Sequence, residues 1–363
     1  MKRVLFLFAV VTSCFVTSYA SETSRPKPIA TLNLSNLLAT QGETVSVSSI
    51  AFVSDTAIAV GLCQQWLSTN CSLSLIRHED GVLRPCAQTS RYRTGMSLHP
   101  SSGGQILTTP VGMFPAVLLS ADLTTAQDLP SLRLVSRSGN TAAERWGNTA
   151  AERKKGTWKI YRVLPEIELI RQGSKQLEDV SDEAVVLREG DMIRTETIDG
   201  KLLGSFYAGP RAKCSESVHF ASNDTLYLAD CKGARVVSFT GKEEQRLHPP
   251  KGWGDITWSS DGRRTLFNRF SRRISIFRNA GEIFVALATM GLGVGDELDN
   301  RQEVEVLDTF TGKSCFDWKR SFPENSESLK QGTAISPSGD FVAIAAGGTL
   351  AIYRLPAVCE IKK

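Results

Sequence analysis

The stretch Thr333-Ala-Ile-Ser-Pro-Ser-Gly-Asp-Phe-Val-Ala-Ile-Ala-Ala-Gly-Gly-Thr-Leu-Ala-Ile-Tyr353 has the layout of three short consecutive β-strands. Its Ser338-Gly339 pair is typical of a tight turn and joins two strands of apolar character. Gly347-Gly348 then leads into a third strand over residues 350–353. This unit predicts an antiparallel sheet made of successive hairpins.

The same strand–turn–strand layout recurs along the chain at intervals of roughly 40 residues, the repeat of a four-stranded propeller blade. The long interval between Gly262 and Gly339 holds an insertion at about 270–300. We therefore predict an all-β, seven-bladed β-propeller, with six or eight blades as the alternatives. The six further units begin at Ile50, Met96, Leu132, Leu177, Val218 and Ile256.

One apolar segment, residues 29–34, belongs to none of these units. The last unit supplies three clear strands, and an open radial array would leave one sheet edge and one apolar face bare. We therefore expect the 29–34 segment to complete the last blade and close the ring. Residues 21–363 are then one propeller domain.

The first residues have the form of a signal peptide. Lys2 and Arg3 precede an apolar run over 4–16, and small residues at Ser18 and Ala20 suit cleavage after Ala20. A lipoprotein signal with lipid on Cys14 is the alternative. We expect a secreted or periplasmic protein, and no later stretch has the roughly 18 apolar residues of a membrane span.

The low net charge of the chain argues against a nucleic-acid partner. Lys and Arg total 42 and Asp and Glu total 38, a formal net charge of +4. Loss of Lys2 and Arg3 with the signal lowers this to about +2, which is too small to indicate nucleic-acid binding. We expect a monomer.

Seven cysteines remain after cleavage, and export favours disulfides. Cys214 and Cys231 flank two strands of one unit and are the first expected pair. Cys63 and Cys71 close a short loop, and Cys315 with Cys359 would tie the penultimate blade to the last. Cys86 is then left over, and we expect a buried thiol. The chain has no C-x-x-C pair that would indicate a zinc ribbon.

No sequence motif specifies a reaction or a cofactor. The chain lacks G-x-S-x-G, and Gly291-Leu-Gly-Val-Gly295 departs from the dinucleotide pattern because Asp296 holds the third glycine position. We expect no cofactor and no resident metal. The alternative is a metal or general-base site in the central channel formed by His219, Asp255 and Asp179. A hydrogen-bonded or solvent-facing His219 is the simpler interpretation.

A basic and aromatic strip lies between Arg263 and Arg278, where six arginines occur without an acidic residue. Forked hydrogen bonds and stacking allow such side chains to hold an anionic or planar partner. The alternative is an outward strand face neutralised by Glu282, Asp296 or Glu297. The candidate partner-binding residues are Arg269, Phe270, Arg272 and Arg273.

Residues 341–344, 350–355 and 304–313 resemble the strand pairs of secreted bacterial WD40-like and YVTN-type propellers. The chain differs in lacking the Gly-His and Trp-Asp pairs of the repeat. The resemblance implies the architecture only, because such propellers have varied functions. We expect a non-catalytic binding or scaffold protein that holds a protein, glycan or small ligand. The alternative is a metal-dependent hydrolase similar to lactonase-like propellers.

Overall fold

The computed structural model describes residues 26–37, 46–63, 71–90, 92, 96–110, 115–145, 157–208, 217–230, 233–247, 255–274, 298–322 and 332–359. They form 28 strands and two short 3-10 helices, Leu34–Leu37 and Ser102–Gly104. The strands are β1 Ala30–Asn33, β2 Ser46–Ser54, β3 Ala57–Cys63, β4 Cys71–Glu79, β5 Val82–Thr89, β6 Met96–Pro100, β7 Ile106–Pro110, β8 Ala116–Leu119, β9 Ala126–Leu129, β10 Leu132–Val135, β11 Thr141–Arg145, β12 Trp158–Arg162, β13 Glu168–Gly173, β14 Gln176–Val180, β15 Ala184–Glu189, β16 Met192–Thr197, β17 Leu202–Tyr207, β18 Ser217–Phe220, β19 Thr225–Asp230, β20 Gly233–Ser238, β21 Glu243–Leu247, β22 Asp255–Trp258, β23 Arg264–Ile274, β24 Leu298–Asp308, β25 Ser314–Phe322, β26 Gly332–Ile335, β27 Phe341–Ala346 and β28 Thr349–Arg354.

The strands form seven four-stranded antiparallel sheets, so the predicted seven-bladed propeller is confirmed. Blades 1 to 6 contain β2–β5, β6–β9, β10–β13, β14–β17, β18–β21 and β22–β25, and blade 7 contains β26, β27, β28 and β1. First strands of adjacent blades contact each other, for example β2 with β6, β14 with β18 and β2 with β26. The first strand of each blade is therefore innermost and the fourth is outermost.

In blade 7 the outermost strand comes from the other end of the described chain. β1 runs antiparallel to β28, with Ala30 opposite Ile352 and Asn33 opposite Thr349. Leu34, just after β1, donates its backbone N–H to the carbonyl of Gly348 at 2.8 Å. The N-terminal strand supplies hydrogen bonds that β28 would otherwise lack.

The apolar core is divided among the junctions between blades. Seven clusters of buried side chains lie one at each junction, from blades 1 and 2 round to blades 7 and 1. Inner strands such as β3 and β27 are buried on both faces because each sheet packs against two neighbours. Burial on both faces explains why these strands are continuous apolar runs such as Phe341-Val-Ala-Ile-Ala-Ala346.

Glycine in the turn between first and second strands is required by geometry. Gly262 has a φ of +73°, and a Cβ there would lie 2.5 Å from the carbonyl oxygen of Ala221 in the preceding blade. Gly139 has a φ of +69° and would meet the carbonyl of Pro100 at 2.4 Å. The glycine in these turns thus reflects both a left-handed backbone and close contact with the preceding blade.

The long interval after Gly262 contains an extended hairpin. β23 and β24 pair over eleven residues each, from Arg264 opposite Asp308 to Ile274 opposite Leu298. In the described residues these strands belong to blade 6 and form no eighth sheet. Residues 275–297, most of the predicted insertion, lie outside the described part.

Two of the three expected disulfides are present. Cys63 bonds to Cys71 across the paired ends of β3 and β4, and Cys315 bonds to Cys359. Cys214 and Cys231 lie outside the described residues, as does the predicted signal peptide with Cys14. Among the described residues, no helix has the length and hydropathy needed to cross a membrane.

The prediction of a buried Cys86 is wrong, because this free cysteine is exposed. It lies on β5, the outermost strand of blade 1, where alternate side chains have no neighbouring strand to cover them. Its thiol donates to the carbonyl of Leu75 at 3.3 Å.

Candidate functional site

The turns between first and second strands gather on one end of the propeller and contact each other from blade to blade. Ser338 in blade 7 donates its N–H to Asp55 of blade 1 at 3.1 Å. Asp182 in blade 4 accepts the hydroxyls of Ser136 and Ser138 of blade 3, each at 2.7 Å. Turns between third and fourth strands lie at the same end because the strands are antiparallel. We call this surface the turn face.

The turn face is acidic although the chain carries a net charge of +4. Among the described residues its turns carry ten carboxylates and five basic side chains. A local excess of this size produces a negative potential that attracts cationic partners. The carboxylates are Asp55, Asp80, Asp122, Glu166, Asp182, Glu183, Asp199, Asp224, Asp261 and Asp340; the basic residues are Arg137, Lys201, Lys242, Arg263 and Lys313.

Several of these carboxylates are fixed by hydroxyl groups of their own turns. Hydrogen bonds from Ser120 and then Thr124 lower the pKa of Asp122 to about 2. Asp224 and Asp261 each accept the serine hydroxyl two residues earlier at 2.5 Å. Such short-range bonds hold the charge in place and favour the ionised form.

The inner strands bring together two of the three residues predicted for a channel site. Nδ1 of His219 on β18 lies 3.6 Å from Oδ2 of Asp179 on β14. Burial alone would lower the pKa of His219. Asp179, through its hydrogen bond and charge, and then Glu178 outweigh burial, so this pKa lies above its usual value. The pair can therefore hold a proton.

Two residues that sequence reasoning missed complete the surroundings of His219. The Trp258 ring lies 5.5 Å from the His219 ring, and the Arg137 guanidinium lies 5.4 Å from the Trp258 ring. Burial lowers the pKa of Arg137 to about 10, while Asp179 and Asp261 act to raise it. A positive charge this close opposes binding of a metal cation between His219 and Asp179.

Asp179 and Arg137 also have a structural role. Asp179 Oδ2 accepts the backbone N–H of Phe220 at 2.8 Å, and Arg137 donates to the carbonyl of the same residue. The Asp255 side chain lies outside the described part, and no group of three or more metal-ligating side chains occurs in that part. Asp179 and Arg137 thus join blades 3, 4 and 5 through the backbone of Phe220.

We expect the contribution of His219 to the stability of the fold to decrease as the pH rises. Folding raises the pKa of His219 above its ordinary value of about 6.5. Protonated His219 therefore stabilises the fold fully below about pH 6.5, and this stabilisation is lost as the pH rises through the raised pKa. His219→Gln should therefore lower the unfolding midpoint more at pH 5.5 than at pH 8.5, measured by denaturant titration.

His99 provides a control of opposite sign. Burial lowers its pKa to about 4, so protonation destabilises the fold as pH falls below about 6.5. His99→Gln should make the protein less sensitive to acid over this range. Equal pH dependence of the wild type and the His219→Gln variant would contradict the assignment for His219.

Two arginines of the strip, Arg264 and Arg269, contact carboxylates within blade 6. Arg264 is 4% exposed and binds Asp308 at 3.0 Å, so it is not available to a partner. Arg269 is half-buried, 3.6 Å from Glu303, an acid that sequence reasoning did not connect with it. Phe270, Arg272 and Arg273 lie on β23 opposite Gln302, Asn300 and Asp299. Their side chains are outside the described part, and partner binding there remains a prediction.

The sequence contains a signal for the acidic turn face in the turns themselves. Ser-Asp occurs at 54–55 and 181–182, and Ser-x-Asp at 222–224 and 259–261. Each places a carboxylate beside a serine, the pattern of a side-chain-stabilised turn. Repetition of that pattern in blades 1, 4, 5 and 6 predicts negative charge over much of one face.

Comparisons with known proteins agree on the fold. No family model and no curated protein matches the sequence. A chain in the crystal structure of the mitotic checkpoint complex has a TM-score of 0.51 and 10% identity, and the match covers 93% of this chain and 95% of that one. The fold is that of a propeller domain. At this identity the similarity shows nothing further.

Two other solved structures have lower scores. The C-terminal WD40 domain of Sif2 has a TM-score of 0.48 and 13% identity, with 92% of this chain and 99% of that chain covered. U3-55K has a TM-score of 0.49 and 14% identity, with 91% and 100% covered.

Proposed function

We propose that this protein is exported and that its propeller, from residue 21 onward, is a non-catalytic scaffold that binds a cationic protein partner on the turn face. The 1–20 segment has signal-peptide features, and Cys63–Cys71 and Cys315–Cys359 suit an oxidising compartment.

The observation that carries this proposal is the excess of carboxylates on one face of the ring of blades, several of them held by hydrogen bonds. Complementary charge across an interface raises association rates and selects partners. Side chains that are already held in place also lose little conformational entropy when a partner binds. One chain of similar fold belongs to a multiprotein assembly, the mitotic checkpoint complex. A propeller face serving as a docking surface is consistent with that example.

The test uses the mature protein and a fluorescent lysine decapeptide as the cationic probe. The triple change Asp224→Asn, Asp261→Asn and Asp340→Asn removes charge from three blades. The new amides at 224 and 261 can still accept the serine hydroxyls. We expect about tenfold weaker binding at low salt, and little difference at high salt because exposed charges are screened.

A matched control makes the same change in net charge at residues outside the turns of that face. Asp128→Asn and Glu244→Gln lie on outermost strands, and Asp191→Asn lies in the turn between β15 and β16 at the opposite end. This variant should bind the probe nearly as well as the wild type. An equal loss in both triple variants would show that only overall charge matters and would refute the turn face as the binding surface.

The alternative function is a metal-dependent hydrolase. It is favoured by the 3.6 Å approach of His219 to Asp179 and opposed by the nearby Arg137. Metal analysis of the purified protein distinguishes the two, because a stoichiometric divalent ion that is lost in His219→Gln would support the enzyme.

A further inference from the structure

A pocket opens on the turn face where blades 2, 3 and 4 meet. Its volume is about 570 Å³, and it is widely open to solvent. Blade 2 contributes Gln105, blade 3 contributes Asn140 and Arg162, and blade 4 contributes Asp182. Leu164 and its neighbour Pro165 form an apolar part of the wall.

The polar groups of this pocket have fixed and complementary roles. Asp182 uses Oδ1 to accept the hydroxyls of Ser136 and Ser138, which orients the carboxylate. Arg162 uses Nη1 to donate to Glu168 at 3.0 Å, and a guanidinium has further N–H groups with which to donate. The amide of Gln105 adds one acceptor and two donors.

A neutral ligand fits this combination better than an ion. An anion is attracted by Arg162 and repelled by Asp182, and a cation the reverse, so the two effects offset each other for an ion of either sign. A hydroxyl group both donates and accepts, and pairs of adjacent hydroxyls match the paired atoms of carboxylate, amide and guanidinium groups. Arg162, Pro165 and Asp182 are exposed, so a longer ligand can extend into solvent.

From these observations we propose that the pocket binds carbohydrate, with the end of an oligosaccharide held by Gln105, Arg162 and Asp182 and packed against Leu164 and Pro165. The proposal goes beyond the proposed docking of a cationic protein and does not depend on it. It assigns a second ligand class to the same face.

Saturation-transfer NMR on the mature protein tests this with maltose, cellobiose and N,N′-diacetylchitobiose as probes, followed by titration of any that bind. We expect binding of at least one sugar. Gln105→Met and Arg162→Met keep side-chain size but remove hydrogen-bonding groups, and each should weaken binding about tenfold.

The matched control is Glu168→Gln, which breaks the same exposed ion pair as Arg162→Met but leaves the guanidinium in the pocket. It should change sugar affinity by no more than about twofold. Unfolding midpoints of all variants establish that each is folded. The absence of binding by every probe, or affinities unchanged in both methionine variants, would overturn the proposal.

The same variants distinguish binding of the sugar from binding of the lysine peptide. The Asp224→Asn, Asp261→Asn and Asp340→Asn variant alters blades 5, 6 and 7 and should keep sugar affinity while losing the lysine peptide. Sugar binding that is lost in this variant would contradict a site confined to blades 2 to 4.

Discussion

Replacing Leu34 with aspartate is expected to lower the free energy of unfolding by more than about 4 kcal/mol. Leu34 is fully buried beside β1, in the apolar cluster between blades 7 and 1 that includes Ile58, Leu62 and Leu350. A carboxylate there has no cationic partner among the members of the cluster. The change therefore weakens the junction between blades 7 and 1, and denaturant unfolding measures the loss of stability.

Thr31→Asp is the control for this prediction. Thr31 lies on β1 itself, but its side chain is exposed, so the new charge stays in water. We expect a change within about 0.5 kcal/mol. If Leu34→Asp were as stable as Thr31→Asp, the closing strand would contribute little to the ring.

The second large effect is expected at Arg264, a buried guanidinium that holds blade 6 and the chain after β28 together. It binds Asp308 at 3.0 Å and donates to the carbonyls of Pro356 and Ala357, each at 3.2 Å. It also contacts both sulfur atoms of the Cys315–Cys359 disulfide. Arg264→Met removes the buried cation and leaves the carboxylate of Asp308, which is 20% exposed, without its ion-pair partner. The loss should cost about 3 kcal/mol, the lower end of the range for breaking a buried pair.

Arg263→Met is the matched control, because the adjacent arginine is mostly exposed and 4.0 Å from Asp261. Loss of the Arg263 guanidinium should lower the free energy of unfolding by no more than about 1 kcal/mol. Both variants are compared by denaturant unfolding with the disulfides oxidised. Equal midpoints would show that the contacts of Arg264 add nothing to stability.

The sequence predicted the blades because their signal is local. Alternation along a strand and a glycine turn are properties of some twenty consecutive residues, such as 333–353. Their recurrence predicted seven sheets, with six or eight as the alternatives, and seven are present. The unassigned apolar segment at 29–34 was visible for the same reason. Cys63 and Cys71 were also a local inference, because the loop between them is short.

The candidate site was less predictable because its contacts cross from blade to blade. Asp182 is adjacent to Ser181 in sequence but binds Ser136 and Ser138 of the preceding blade. Arg264 looked like one of six surface arginines, although its partner Asp308 is 44 residues away. The expectation for Cys86 was wrong because burial depends on whether a strand is outermost in its blade, which residue type does not report.

The sequence alone therefore predicted seven repeated units, with six or eight as the alternatives, the first strand of each unit, and the need for a segment to close the ring. Only the tertiary structure decided which charges meet. The physical reason is that strand formation depends on a period of two residues along one segment, whereas the acidic turn face and the Gln105–Arg162–Asp182 pocket arise from the radial arrangement that places corresponding turns side by side.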